Sequence, residues 1–168
     1  MSADDIETRL AATAARFADL GPRLITAGPW PLAERFDHAP EASWGPPETL
    51  AHLEEMLGFW LGQAERVARM ADGPERFGRV ATDADRLAVI ERDRTQPIDE
   101  LVTAVTAGIE RWRESWPGFS EAERQRTGLH PTLGVLRVND IATRFVASHL
   151  QEHLDQLDAS VADRPDAG

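Results

Sequence analysis

Two histidines near the end of the chain, His149 and His153, have the spacing most suggestive of chemistry. Side chains four residues apart on an α-helix share one face, with Cβ atoms about 5–6 Å apart, so both imidazoles can reach a single divalent ion. The neighbouring positions on that face are apolar, which places both rings in the predicted core. An unpartnered buried imidazole costs about 1–3 kcal/mol. We therefore expect the rings either to bind a metal or to hydrogen-bond to backbone or carboxylate groups.

A third imidazole, His52, lies at the edge of the apolar stripe of an earlier predicted helix. Metal sites in helical bundles are built from side chains on facing helices, so His52 is a candidate third ligand. The alternative is a half-buried histidine at the boundary of the core. Three histidine ligands with an open fourth position are typical of a catalytic zinc site rather than a structural one.

An acidic residue, Glu152, precedes the second histidine of the pair, and the segment 149–153 fits the His-x-x-Glu-His pattern of inverted zincins. In that pattern the glutamate is the general base, but a further acidic ligand well downstream and a larger fold are also needed. Few residues follow His153, so this interpretation is disfavoured. Glu152 stays a candidate base in a different fold, and the alternative is a solvated residue on the outer helix face.

Four side chains are candidates for the wall of a substrate pocket beside such a site: Phe59, Trp60, His130 and Phe145. Trp60 follows His52 by two helical turns, so both side chains can face one cavity. His130 precedes Pro131 in a predicted break between helices, where it can lie at the mouth of a pocket. The alternative for His130 is an ordinary loop histidine.

The residue types that are absent exclude several classes of chemistry. The chain contains no cysteine, tyrosine or lysine. It therefore has no disulfide, no thiolate ligand or nucleophile, no Schiff-base lysine and no P-loop. Its serines lie in no Gly-x-Ser-x-Gly elbow. Chemistry has to come from histidine, carboxylates, arginine or a metal that these residues hold.

The charge balance is strongly acidic, with 18 basic residues against 29 acidic ones and a net charge of −11. Nucleic-acid binding and attachment to anionic membranes both need a basic surface, so we expect neither partner. No apolar run approaches the roughly 20 residues of a membrane span. The first residues are acidic where a signal peptide is basic, and we therefore expect a cytoplasmic protein.

The hydrophobic periodicity predicts an all-α protein with four long helices. We expect them at about 4–20, 46–70, 97–116 and 138–161, with a short helix near 83–93. Gly21-Pro22 is expected to end the first helix, and His130 to Gly134 is expected to be a break. A four-helix bundle is the architecture that such helices favour, and the long connections permit a crossover. We expect a single domain over 1–162 and a flexible tail over 163–168.

Two stretches of the chain carry a family resemblance. The segment Trp44-Gly45-Pro46-Pro47-Glu48-Thr49-Leu50-Ala51-His52-Leu53 resembles the W-s-P-x-E-x-L-x-H-L opening of the second helix in the DinB/YfiT-like superfamily. The series His130-Pro131-x-x-Gly134, Val138-x-Asp140-Ile141 and His149-x3-His153-x3-Leu157 is similar to the C-terminal half of that family. The resemblance covers nearly the whole chain, and the proline-rich connection Gly21–Gly45 departs from it.

The resemblance implies a DinB-like four-helix bundle with a crossover and a divalent metal bound by His52, His149 and His153. Zinc and nickel are the first choices of metal, before iron, manganese and copper. Relatives include thiol-dependent S-transferases and isomerases that use bacillithiol, mycothiol or glutathione, and a metal-dependent hydrolase description also occurs. Members are often dimers.

The first functional hypothesis is therefore a metal-dependent thiol transferase that acts on a small electrophile. Because the chain has no cysteine, the thiol has to be a cosubstrate. A metal-dependent hydrolase and a non-catalytic metal-binding stress-response protein are the alternatives. We also expect a homodimer, because Trp30 and Trp44 lie in a predicted connection where full burial within one domain is difficult.

Overall fold

The computed structural model describes residues 3–38, 40–70 and 75–164, and most of this part of the chain is helical, as the sequence predicts. The helices are α1 (Ala3–Ala27), α2 (Pro46–Ala68), α3 (Ala84–Asp93), α4 (Ile98–Ser115), the short α5 (Glu121–Gln125) and the C-terminal α6 over 138–162. Three 3-10 turns occupy Phe36–His38, Glu41–Ser43 and Trp116–Gly118. None of the described helices combines the length and apolarity needed to cross a membrane. Residues 165–168 of the predicted flexible tail lie outside the described residues.

The C-terminal helix α6 is not a uniform α-helix. It begins as one α-turn at Val138–Asp140, continues as π-helix over Ile141–Ser148, and is α-helical again over His149–Ala162. A π-helix closes its hydrogen bonds between residues five apart rather than four. The aromatic and histidine positions of α6 are therefore offset from the straight α-helical wheel on which the sequence analysis placed them.

Helix α1 continues past Gly21-Pro22, where the sequence analysis expected it to end, and stops at Ala27. A Cβ atom at Gly21 would lie 2.7 Å from Cγ1 of Val102, so glycine is needed here for the close approach of α1 to α4. Pro22 removes one helical hydrogen bond but faces solvent, while Leu24 in the next turn is fully buried. Burial of the apolar face thus outweighs the local preference to break the helix.

The break between helices expected at 130–134 is confirmed, and it forms the turn of a two-stranded hairpin that was not expected. Strand β1 (Thr127–His130) pairs antiparallel with β2 (Gly134–Arg137), and His130 lies opposite Gly134 in the register. Gly134 has a positive φ of 74°, a conformation that costs glycine little. Each strand has only four residues, which is too short for an alternating pattern to stand out. The hairpin fixes the position of His130 beside the core.

The long helices pack on one another around one hydrophobic core. Helix α4 contacts α1 and α2, and α6 contacts the same two helices. Trp112 donates from Nε1 to the carbonyl of Leu57 at 2.9 Å, which links α4 to α2 inside the core. A Cβ atom at Gly108 would lie 2.8 Å from Cδ1 of Leu57, so the two helices are close at this point. This packing brings α2 and α6, which carry the histidines, side by side.

A buried ion pair fastens the connection between α1 and α2. Glu48 is fully buried, and its Oε1 atom accepts from Arg94 Nη1 and from the backbone N–H of Ala33, both at 2.9 Å. Arg94 also donates to the carbonyl of Ala33 at 2.6 Å. The connection is therefore held from both α2 and the end of α3. This arrangement matters because the same connection carries Glu41.

The tryptophans are buried within the protomer to a greater extent than the sequence analysis assumed. Trp44 is only 5% exposed, and its Nε1 donates to the carbonyl of Phe36 at 3.0 Å. Trp30 is half-buried and donates to the carbonyl of Leu24 at 2.8 Å. Exposed tryptophan therefore gives no reason for a dimer interface in this connection, and the homodimer stays a prediction.

Candidate metal centre

Three histidines and one glutamate converge between α2, α6 and the connection that precedes α2. One ligand atom from each of Glu41, His52, His149 and His153 lies within 4.8 Å of all the others, and this cluster could hold a metal ion. The Nε2 atom of His149 is 2.9 Å from Nε2 of His52 and 3.2 Å from Nε2 of His153. Glu41 Oε2 lies 3.6–3.8 Å from the same three nitrogens. The three histidines named by the sequence analysis are thus brought together.

Glu41 is the member of the cluster that the sequence analysis missed. It lies in the 3-10 turn Glu41–Ser43, outside the helices whose periodicity located the histidines. No spacing rule connects a glutamate in an irregular connection with ligands on two helices. Its carboxylate occupies the fourth position that the sequence analysis expected to be open, so the donor set is three imidazole nitrogens and one carboxylate oxygen.

Gln156, one turn beyond His153 on α6, joins the histidine to the connection. Its Oε1 atom accepts from His153 Nδ1 at 2.9 Å, and its Nε2 donates to the carbonyls of Glu41 and Trp44 at 2.9 and 2.8 Å. A ring that donates from Nδ1 presents a lone pair at Nε2, which is the form that binds metal. Gln156 therefore fixes the tautomer of His153 and the position of Glu41 together.

Arg86, on α3, contacts the opposite side of the cluster. Its guanidinium pairs with Glu41 Oε1, donates to the carbonyl of Ala81 at 2.8 Å and lies 3.3 Å from His52 Nδ1. Because a guanidinium only donates, the His52 proton resides on Nε2, facing His149. The donor set therefore fits a divalent ion once the His52 proton moves from Nε2 to Nδ1, and this tautomer needs Arg86 to turn away from Nδ1.

Burial and charge set the protonation of the cluster. Burial lowers the pKa of His52 well below its ordinary value, and the positive charge of Arg86 lowers it further. Burial and the neighbouring His153 likewise lower the pKa of His149. Burial alone would raise the pKa of Glu41, but the facing His153, His52 and Arg86 outweigh it and lower that pKa to about 2. Near neutral pH His52 and His149 are thus uncharged and Glu41 is ionised, as metal binding requires.

These shifts predict a loss of stability in acid for the protein kept in a chelator. An unfolded histidine titrates near 6.5, whereas His52 and His149 resist protonation in the folded state. Below about pH 6.5 the unfolded chain therefore binds more protons, and the free energy of unfolding falls. Because the pKa of Glu41 is lowered from 4.5 to about 2 in the folded protein, the free energy of unfolding should fall further as the pH drops through that range.

Urea unfolding in chelator, repeated between about pH 8 and pH 4, measures the first of these losses. The His52→Gln variant should have a shallower dependence over the same range, because it removes one of the titrating groups. A free energy of unfolding that rises between pH 7 and pH 5 would contradict the neutral state of the buried histidines.

Two cavities meet at the cluster. The first has a volume of about 330 Å³ and is lined mainly by apolar side chains, together with His52, His149 and Glu41. Trp60 and Phe145, stacked with ring centroids 4.0 Å apart, form one wall of it. The second cavity, of about 460 Å³, lies against Glu41, His149 and His153. Glu41 and His149 are thus exposed to both cavities.

The other sequence-predicted site residues occupy different places. His130 is buried in the wall of the first cavity, where its Nδ1 accepts from the backbone N–H groups of Thr132 and Leu133, both at 3.3 Å. Phe59 is not part of that wall; it packs behind Trp60, with ring centroids 5.0 Å apart. The Glu152 side chain is 74% exposed, lines the second cavity and lies 3.6 Å from His149 Nδ1.

Compared with protein-family models, curated proteins and solved structures, the chain gives no match.

Proposed function

We propose that this protein is a divalent-metal-dependent enzyme that joins a low-molecular-weight thiol to a small electrophile. One observation supports it above the others: three imidazole nitrogens and one carboxylate oxygen converge beside a mainly apolar cavity of about 330 Å³. Pockets for small molecules typically have volumes of about 300–1,000 Å³. A structural metal site is typically closed, whereas two cavities reach the ligand atoms here.

The proposed architecture is a DinB/YfiT-like four-helix bundle of α1, α2, α4 and α6. The packing of α4 and α6 against both α1 and α2 supports it. The segment between α2 and α4 contains α3, and its length suits a crossover connection. The three histidine positions agree with those that the family resemblance implies, and Glu41 is a departure from it.

A divalent ion in this cluster would lower the pKa of a bound thiol and so supply a nucleophile near neutral pH. Zinc and nickel are the proposed metals, because imidazole nitrogens suit both. Since the chain contains no cysteine, the thiol is a separate substrate. His52, His149 and His153 offer the nitrogen donors, and the lowered pKa values of His52 and His149 keep these two rings uncharged near neutral pH.

The first cavity is the proposed site of the electrophile. Trp60 and Phe145 form the apolar wall of this cavity. The His130 ring extends the wall and is stacked on Phe145, with ring centroids 5.3 Å apart. Two backbone N–H groups hold His130 in place, so the ring acts as a rigid surface.

Glu41 and Glu152 have different proposed roles. Arg86 holds Glu41 Oε1, which gives this carboxylate a second partner if a substrate takes its place among the ligands. Glu152 lines only the second of the two cavities and lies beside His149 Nδ1. We therefore propose that Glu152 orients His149, in place of the general-base role that the sequence suggested.

The test incubates the metal-loaded protein with a chlorodinitrobenzene, with and without glutathione, bacillithiol or mycothiol. We expect product only when both a thiol and the metal are present, and a rate at least about tenfold lower for His149→Ala, because changes at metal ligands and their partners cost about 10–100-fold. Gln151→Ala is the matched control, because Gln151 is exposed on the same helix.

Two outcomes would contradict the transferase. Cleavage of esters or amides without thiol, lost in His149→Ala, would indicate a metal-dependent hydrolase. A fully metal-loaded protein that is silent with every thiol and with every ester would indicate a metal-binding protein without catalysis.

A further inference from the structure

The two cavities differ in the ligands that they expose. His52 lines the first cavity and not the second, while His153 lines the second and not the first. Glu41 and His149 belong to both. The cluster therefore lies between the two cavities and borders both of them. Two substrates could each approach it through a different cavity.

The two cavities differ in the sign of the net charge carried by the residues that line them. The first cavity is lined by two guanidinium groups, Arg79 and Arg86, and one carboxylate. Among the described residues, the second is lined by three carboxylates, Glu41, Glu152 and Asp163, and by no basic side chain other than the two histidines. Ser43, Gln156 and Ser160 add polar atoms to the second cavity. It is thus acidic and more polar than the first cavity, which is largely apolar.

We infer that the second cavity receives the thiol and favours thiols that carry an ammonium group over thiols whose only charged group is a carboxylate. This inference rests on the proposed function. A thiolate brings negative charge to a side that already carries Glu152 and Asp163, so an additional carboxylate on the thiol would be repelled and an ammonium group attracted. The apolar electrophile then occupies the first cavity, and the two substrates meet where both cavities border Glu41 and His149.

The inference predicts a ranking of three small thiols that differ in charge. Cobalt(II) in the cluster reports a bound thiolate by a charge-transfer absorption band, so no turnover is needed. We expect cysteamine to bind more tightly than 2-mercaptoethanol, and 2-mercaptoethanol more tightly than 3-mercaptopropionate. The spread in dissociation constant between cysteamine and 3-mercaptopropionate should be on the order of tenfold. It should not be larger, because the carboxylates of Glu152 and Asp163 are solvated and their charges are partly screened.

The three thiols also differ in their own acidity, and protein variants separate that effect from the charge of the cavity. The double variant Glu152→Gln with Asp163→Asn should reduce the spread several-fold. Glu110→Gln changes the net charge outside both cavities and should leave the spread unchanged. A spread that the double variant does not reduce, or tightest binding by 3-mercaptopropionate, would overturn the inference.

A second pair of variants tests which cavity the thiol enters. Ala159→Trp fills part of the second cavity and should weaken binding of all three thiols, whereas Leu133→Trp in the first cavity should not. The reverse result would place the thiol in the first cavity and overturn the inference. If cobalt is bound but no thiol produces a charge-transfer band, the proposed transferase function fails instead.

Discussion

Replacing His149 by alanine is expected to abolish the stabilisation of this protein by divalent metal. His149 is the central member of the cluster, because its Nε2 is the shared neighbour of the other two histidine nitrogens, at 2.9 and 3.2 Å. A metal present at one hundred times its dissociation constant adds about 2.7 kcal/mol to the free energy of unfolding. For a domain of this size about 2–4 °C of melting temperature corresponds to each kcal/mol. The wild-type protein should therefore gain on the order of 5–10 °C with zinc, and the variant close to none.

Thermal unfolding with zinc and with chelator measures this difference, and metal analysis of protein prepared without a histidine tag gives the stoichiometry. Gln151→Ala, on the exposed face of the same helix, should keep the full metal-dependent shift. A wild-type protein that melts at the same temperature with zinc and with chelator would refute the metal centre.

Replacing Glu48 by alanine should produce the largest loss of stability in metal-free protein. The carboxylate is fully buried and shares its Oε1 atom between Arg94 and the N–H of Ala33. Removing one partner of a buried ion pair typically costs about 3–5 kcal/mol, because the other charge stays buried. Arg94 keeps its contacts with Glu91, so we expect a value near the lower end, about 3 kcal/mol.

Urea unfolding in chelator gives the free energies for this comparison. Glu65→Ala breaks an exposed pair with Arg69 and should change stability by no more than about 1 kcal/mol. The double variant Glu48→Leu with Arg94→Met removes both charges and should recover much of the loss. A Glu48→Ala protein no less stable than Glu65→Ala would contradict the role given to this pair. Because the pair fastens the connection that carries Glu41, metal affinity should also fall in Glu48→Ala.

The histidine part of the site could be predicted from the sequence because helical periodicity is local. His149 and His153 share a helix face whatever the tertiary structure, and His52 lies on another helix whose apolar stripe is equally regular. The positions of Glu41 and Arg86 follow from long-range contacts instead. Glu41 is held by Gln156 on a distant helix and by Arg86 on α3, and no pattern of nearby residues encodes such contacts.

The fold could be predicted from the sequence to about the same extent as the site. The all-α class and the approximate positions of the long helices follow from amphipathic patterning, which the structure confirms. The extension of α1 beyond Pro22 depends on close packing at Gly21 against Val102. The hairpin at 127–137 depends on strands of four residues each. Both features are decided by tertiary packing over stretches too short for sequence periodicity to register.

The π-helical stretch Ile141–Ser148 contains Phe145 and ends directly before His149. Because a π-helix closes its hydrogen bonds between residues five apart, the wall residue and the histidine pair lie on one helix but not on one regular α-helical spiral. The direction of the Phe145 ring relative to the two imidazoles therefore depends on this local helix geometry as well as on the spacing of the three residues in the sequence.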